Sequence, residues 1–521
     1  MPLQVFLAHR AVMRRLIVSA LLFSLTGSLG ILGPAAQAVT QGASSLSEGQ
    51  GYACAIESGK AYCWGDNAFG DLGDGRTTNS TVPVRVDTSG VLAGKTLTQI
   101  SAGNTETCAL DNAGAAYCWG WNSNGQLGNG GPGGYNSYSS VPVAVDTSGA
   151  LAGKTLTQIA VGQFDACAVD TYGAAYCWGN NFAGQLGNGT TNSSSVPVPV
   201  ESNGVLAGKA LTQVGVGLWY ACALDSAGAA YCWGGGGVGV LGDGSTNADS
   251  TTPVPVDTSG ALAGKTLTQI SVGNEDACAL DRAGHAYCWG DNGFGQLGYG
   301  PPTASVSNVP VTVDASGLPQ GKTLTQINAG MFATCALDSG GAAYCWGDNA
   351  FGALGDNSTV NGNVPTPVDT QGALKSEALT EISAGYDDTC AQDSNGAMYC
   401  WGDNTYGGLG NSKIKLQSNV PVLVGPQSPT KVITYIHGRS AVVFWRAPAW
   451  LDSGRLTGFT ATAYPGRASC RTTGVTQCVI TGLANGTGYR ITVVAHTTVG
   501  NSGASAPAAV IQAPLVRAGG H

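Results

Sequence analysis

Apolar and polar residues along this chain come in short runs, without helical spacing. LTQISAG from Leu97, TCAL from Thr107, AYCWG from Ala116 and VPVAV from Val141 are each bounded by Gly, Asn, Asp or Pro. Runs of this kind with turn residues at both ends predict β-strands, four to a unit. The unit recurs. Cys-Trp-Gly begins at Cys63, Cys118, Cys177, Cys232, Cys288, Cys345 and Cys400, at intervals of 55 to 59 residues. Seven such units predict an array in which each buries its faces against its neighbours. A β-propeller meets that need and leaves only short, protected edges. The array starts in mid-unit at Ser45-Leu46-Ser47, and the last VPVLV lies at Val420–Val424. A simple closure adds that final strand to the first three, so that both termini pin one blade. Seven whole units are the alternative.

The segments CWGDNAFGDLGDG from Cys63, CWGNNFAGQLGNG from Cys177 and CWGDNGFGQLGYG from Cys288 resemble the repeat of the regulator of chromosome condensation family. The resemblance runs from about Leu46 to Val424 and implies a seven-bladed propeller. It implies much less about activity, because one scaffold hosts unrelated functions. After Gly425 the character changes. AVVFWRAP, LTGFTATAYP and CVITGLANGTGYRITVVA resemble a fibronectin type III domain over Gln427–Ala513, with Trp445 as core tryptophan and Leu483 and Tyr489 at the corner. The expected fold class is therefore all-β: a seven-bladed β-propeller (39–426) followed by a fibronectin type III β-sandwich (427–513) and a tail (514–521).

Residues 1–38 carry a different signal. Arg10, Arg14 and Arg15 precede an apolar run from Leu16 to about Leu32, and Ala36-Gln37-Ala38 follows. That order predicts a secretory signal peptide, cleaved after Ala38. Polar and small residues dilute the run, which argues against an anchor. The mature chain is expected to be secreted or extracellular, either released or held at the cell surface, with no membrane span. Cleavage leaves 20 basic against 32 acidic residues. An acidic surface repels phosphate backbones, so nucleic acid is not an expected partner.

Sixteen cysteines fall into close pairs: Cys54 with Cys63, Cys108 with Cys118, Cys167 with Cys177, Cys222 with Cys232, Cys278 with Cys288, Cys335 with Cys345, Cys390 with Cys400, and Cys470 with Cys478. In an exported chain these read as disulfides. If Cys108 faces Cys118 across a hairpin, Leu110 faces Ala116 and the loop Asn112-Ala113-Gly114 remains. The first copy is one residue shorter, and its loop shrinks while its cysteines stay opposite. Zinc would need further ligands, and the mature chain has only His285, His437, His496 and His521. No metal or other cofactor is expected. A calcium role for Asp66, Asp71 and Asp74 lacks the spacing of a calcium loop.

The copies differ most just before the first Cys of each hairpin. They read QGYA, NTET, QFDA, LWYA, NEDA, MFAT and YDDT. Variation confined to loops on a repeated scaffold makes a non-repeating binding surface. The candidate binding residues are Tyr52, Glu106, Phe164, Asp165, Trp219, Tyr220, Glu275, Asp276, Phe332, Tyr386, Asp387 and Asp388. These loops share a face with the GQLGNG-type loops. Aromatics among carboxylates suit a protein partner, or a glycan stacked on the rings. The alternative is that the aromatics only plug the channel. At Tyr52, Glu106, Asp165, Tyr220, Asp276, Ala333 and Asp388 the family's repeat commonly places His, so guanine-nucleotide exchange has no residue-level support. A glycosidase pair among Glu275, Asp276 and Asp388 is conceivable, but nothing singles out two acids. The reading is a non-catalytic, monomeric recognition protein. The Trp of Cys-Trp-Gly is expected to pack between blades. Lys95, Lys154, Lys209, Lys265 and Lys322 are expected to ring the opposite face, neutralised by acids of the DTSG-type loops.

Overall fold

The computed structural model describes residues 45–512 except 58, 135, 247, 302–303, 395, 412–413, 415, 426–428, 438, 448–455, 485, 498–499 and 506–507. The signal peptide and the tail predicted at the two ends lie outside the described residues. Among the described residues, no helix is long and apolar enough to cross a membrane.

Seven four-stranded antiparallel sheets follow one another, each a simple meander in chain order. In blade one the strands are Leu46–Glu48, Tyr52–Glu57, Lys60–Gly65 and Ser80–Arg85. The later blades span 97–144, 156–199, 211–255, 267–312, 324–367 and 379–423. Blade seven holds its own four strands, ending at Gln417–Leu423, and blade one holds its own as well. The shared-blade closure is thus corrected to seven whole units.

Side chains close the ring instead. On the first strand of most blades a glutamine clamps the first strand of the next. Gln99 Nε2 donates to the Ile159 carbonyl and its Oε1 accepts from Ile159 N, both at 3.0 Å. Gln158 binds Val214, Gln269 binds Ile327 and Gln326 binds Ile382 in the same two-way manner. At the seam, blade seven carries Glu381 in this place. Glu381 Oε1 accepts from Ser45 N at 2.9 Å and from Leu46 N at 3.1 Å, and its other oxygen takes the Ser45 hydroxyl. Ser383 Oγ accepts from Glu48 N at 3.0 Å. A carboxylate makes the stronger acceptor, and two of its three donors here are backbone N–H groups.

The tryptophans add a second stitch, as expected. All seven are buried. Each indole N–H donates to a backbone carbonyl of the preceding blade, as Trp178 does to Gln126 at 2.9 Å. Trp64 completes the circle on Gly408 at 2.8 Å. Within blades, Cys54 faces Cys63 and Cys108 faces Cys118 in register, and all seven blade pairs are bridged with Cα atoms 4.0–4.1 Å apart. Leu110 faces Ala116, and Gly114 turns the hairpin with φ of 75°.

On the hairpin-turn face, Lys95, Lys154, Lys209 and Lys265 are neutralised by acids other than those expected. They pair at 2.9–3.5 Å with Asp111, Asp170, Asp225 and Asp281 of the hairpin turns. The DTSG-type acids cap their own turns, as Asp87 does for Ser89 N.

The C-terminal residues form a two-sheet sandwich. One sheet holds Thr430–His437, Ser440–Arg446 and Gln477–Ile480; the other is built on Leu456–Tyr464 and Gly488–Thr497. Trp445 meets Phe459 edge-on at 5.3 Å in the core. Tyr489 OH accepts from Ala484 N at 2.8 Å, the tyrosine corner of such domains. Cys470–Cys478 joins the two sheets.

Replacing Glu381 with Ala removes the acceptor of the Ser45 and Leu46 N–H groups at the seam. We expect the variant to lose about 1–3 kcal/mol of unfolding free energy in denaturant titrations, and Glu381→Gln to lose clearly less.

Candidate functional site

The four variable residues before each hairpin divide their work by position. The inner strand ends in a glycine that nearly touches the next blade. A Cβ on Gly162 would lie 2.5 Å from the Gly217 carbonyl oxygen, and one on Gly103 would collide with the Gly162 carbonyl. Only glycine fits, so the chain turns outward at a fixed point. The first variable residue then borders the channel mouth, as Gln50, Asn104, Gln163, Asn274, Met331 and Tyr386 do.

The second variable residue faces outward. Trp219 is 38% exposed, and Phe164, Glu275, Phe332 and Asp387 are partly exposed. The third begins the second strand opposite the glycine of Cys-Trp-Gly: Tyr52 faces Gly65, Glu106 faces Gly120, Asp165 faces Gly179, Tyr220 faces Gly234, Asp276 faces Gly290 and Asp388 faces Gly402. All six side chains are buried. They were expected on the binding surface and instead lie inside, because both faces of each blade are covered by neighbours. Tyr52 OH, for example, donates to the Glu106 carbonyl of the next blade at 2.8 Å, and Tyr220 OH to Asp276 at 2.6 Å.

The exposed second-position rings join rings that lie outside the variable segment. Phe69 stacks on Trp121 at 5.2 Å, Trp121 meets Phe164 at 6.0 Å, and Phe164 meets Trp219 at 5.3 Å. This arc spans blades one to four. A second arc, Phe294–Phe332–Tyr386, spans blades five to seven with centroids 5.0 and 5.7 Å apart. Phe69 and Phe294 belong to the loops after Cys-Trp-Gly, and Trp121 ends the strand that carries that motif. Their signal was present in the sequence, since aromatics vary in that loop from copy to copy. The expected sharing of one face by the two loop types is what lets these rings touch.

The same segments also carry acids. Burial pushes Asp387 up to about 6, helped by the nearby Asp348 and Asp403. Burial also holds Glu106, Asp165, Asp276 and Asp388 well above the usual carboxylate range. Asp276 and Asp388 are closed off from solvent, so they make no acid–base pair for a sugar. Asp71 is buried and pushed up to about 7, and one of its oxygens takes Phe69 N at 3.1 Å. Asp66, Asp71 and Asp74 do not converge. Among the described residues the one metal-like grouping is Glu48 with Cys390 and Cys400, and those cysteines are bonded to each other.

A profile of the RCC1-like domain matches residues 150–445, and the regulator of chromosome condensation (RCC1) repeat matches 58–110 and 113–169. The chain belongs to the RCC1-repeat family. A fibronectin type III profile matches 427–511. Among relatives, the ultraviolet-B receptor UVR8 of Arabidopsis thaliana is 29% identical over 73% of this chain and 81% of its own length. The human E3 ubiquitin-protein ligase HERC2 is 28% identical over 74% of this chain, which spans 8% of the ligase. In structure, human WBSCR16 superposes with a TM-score of 0.61 at 21% identity, covering 72% of this chain and 96% of that one. Yeast RCC1 (Prp20), solved with Kap60, gives 0.61 at 21% over 71% and 85%. These likenesses show the RCC1-type fold.

The buried acids of this RCC1-type propeller set a pH dependence. In the folded chain they keep protons that the unfolded chain releases above about pH 4. Their contribution is whole below that value and is lost as pH rises through their folded values, about 7 for Asp71. Asp281 has the opposite sign: burial opposes its ionisation, but hydrogen bonds led by His285 bring it down to about 2, below this window. The melting temperature is therefore expected to fall between pH 5 and pH 8, and Asp71→Asn to flatten the fall. A rise over that interval would contradict the assignment.

Proposed function

We propose that this chain is an exported, non-catalytic recognition protein that binds a protein partner through the aromatic face of its propeller. The carrying observation is the pair of aromatic arcs, whose members come from the loop positions that differ between otherwise similar blades. Rigid rings with small entropy cost, flanked by carboxylates such as Glu275 and Asp387, suit a partner with an apolar centre and a basic rim. Disulfides in every blade and in the sandwich fit an oxidising compartment. One protein of the same fold, yeast Prp20, is described bound to Kap60 and with binding to Gsp1p and histones. That record supports protein recognition as a use of the scaffold. The fibronectin-type domain would supply reach or a second contact.

The test is capture by the full chain from a secretome or cell-surface extract. Phe164→Ala with Trp219→Ala should weaken recovery of the specific partner about tenfold or more, with melting unchanged, since surface changes usually stay within about 0.5 kcal/mol. Undiminished recovery would discard this face.

A further inference from the structure

The sandwich carries an exposed apolar face of its own. In its three-stranded sheet Ile433 pairs with Phe444, and Val442 lies in register between Tyr435 and Val479. Paired residues share a face, and the alternate residues Val443, Trp445 and Ile480 are buried on the core side. The outward set is open to solvent: Ile433 is 51% exposed, Tyr435 62%, Phe444 37% and Val479 49%. The Tyr435 and Phe444 rings meet edge-on at 6.0 Å. A contiguous apolar patch of this kind marks an interaction surface. Arg446 continues the outward row beyond Phe444 and is exposed, as is Lys431 at the same end.

Charge narrows what can cover the patch. Residues 427–513 hold seven Lys and Arg against one acid, whereas 39–426 hold 12 against 31. Two copies of the sandwich face therefore repel, while an acidic surface with apolar residues complements it. The aromatic face of the propeller has that composition. Its second variable positions include Glu275 and Asp387, whose carbonyls accept from Asp291 N at 2.8 Å and Asp403 N at 2.9 Å. All four acids are partly exposed. On the opposite, hairpin-turn face, acids are matched by lysines instead.

The path of the chain decides which propeller is available. Leu423 pairs with Tyr399, and Val424 N donates to the Met398 carbonyl, so the last blade strand leaves at the hairpin-turn end. The sandwich begins at Thr430. Six residues span at most about 20 Å, roughly the height of one blade strand. That tether is used up in reaching the far face, with nothing left to turn the sandwich onto it. A second copy meets no such limit.

We infer that copies of this chain associate head to tail, the sandwich face of one docking on the aromatic propeller face of the next. Ile433, Tyr435 and Phe444 meet the rings, and Lys431 and Arg446 meet the propeller's acids. Only the receiving face is taken from the recognition reading, and a second copy becomes one of its occupants. The contact joins two different surfaces, so it extends into rings or filaments rather than closing as a two-fold dimer. Such association departs from the monomer expected from sequence.

Light scattering behind a sizing column tests this on the full chain, from micromolar to submillimolar concentration. At low salt the mean mass should rise with concentration beyond a dimer. At about 0.5 M salt it should fall, because the charge pairs are screened. Tyr435→Ala with Phe444→Ala should weaken association about tenfold or more. Trp219→Ala should do the same, and both variants should melt like the parent. Mixing the two variants should restore a dimer and nothing larger, since each keeps the surface that the other lacks. Mass that grows with salt, association untouched by either variant, or a mixture that stays monomeric would overturn the inference. A chain monomeric throughout, whose capture of a foreign partner still depends on Trp219, would overturn it and leave the recognition reading standing.

Discussion

A ring of blades stands only if each first strand is fastened to the next and the last to the first. Here the fastening is a side-chain amide that takes the place of a sheet neighbour. Gln99 both donates to and accepts from Ile159, so two strands that share no ladder still satisfy each other's backbone. At the seam the same position becomes Glu381, an acceptor only, and it faces two N–H donors. The change from amide to carboxylate matches the change in what must be paired. With that seam made, no strand has to be exchanged between the chain ends, and seven whole blades result.

The clamps and the indole stitches bring the blades so close that the inner strands can end only in glycine. That closeness gives the variable segment its order. One residue borders the channel, the next points to solvent, and the third and fourth enter the blade interior. Chemical identity then has different consequences at neighbouring positions. Trp219 widens an aromatic surface, whereas Tyr220 ties one blade to the next through its hydroxyl. The acids at third positions are part of the protein's interior and carry the protonation behaviour of buried groups, while Glu275 and Asp387 colour the face.

Much of the fold was legible in the chain. Strand runs, the Cys-Trp-Gly period and the ten-residue cysteine spacing predict the blades, their hairpins and their staples, because each follows from local pattern. The seam was not legible, since Ser45 and Glu381 are 336 residues apart and nothing local distinguishes a clamp from a polar strand residue. The candidate face was half legible. Comparison of the copies found where they vary, but Glu106 and Asp165 look like surface residues in sequence, and only inter-blade contact buries them. Phe69, Trp121 and Phe294 are less legible, because they stand in or beside the segment that resembles the family repeat. Trp445, Leu483 and Tyr489 read correctly in the sandwich, where hydrophobic alternation leaves little choice.

The most direct test compares adjacent residues, Trp219→Ala and Tyr220→Ala, by melting and by partner capture on the same preparations. The account predicts that Trp219→Ala melts like the parent and loses the partner. It predicts that Tyr220→Ala is destabilised by about 3–5 kcal/mol, as for a buried aromatic. If Tyr220→Ala kept the parent's stability, or Trp219→Ala lost stability and kept the partner, the division of the variable segment into recognition and framework would be wrong.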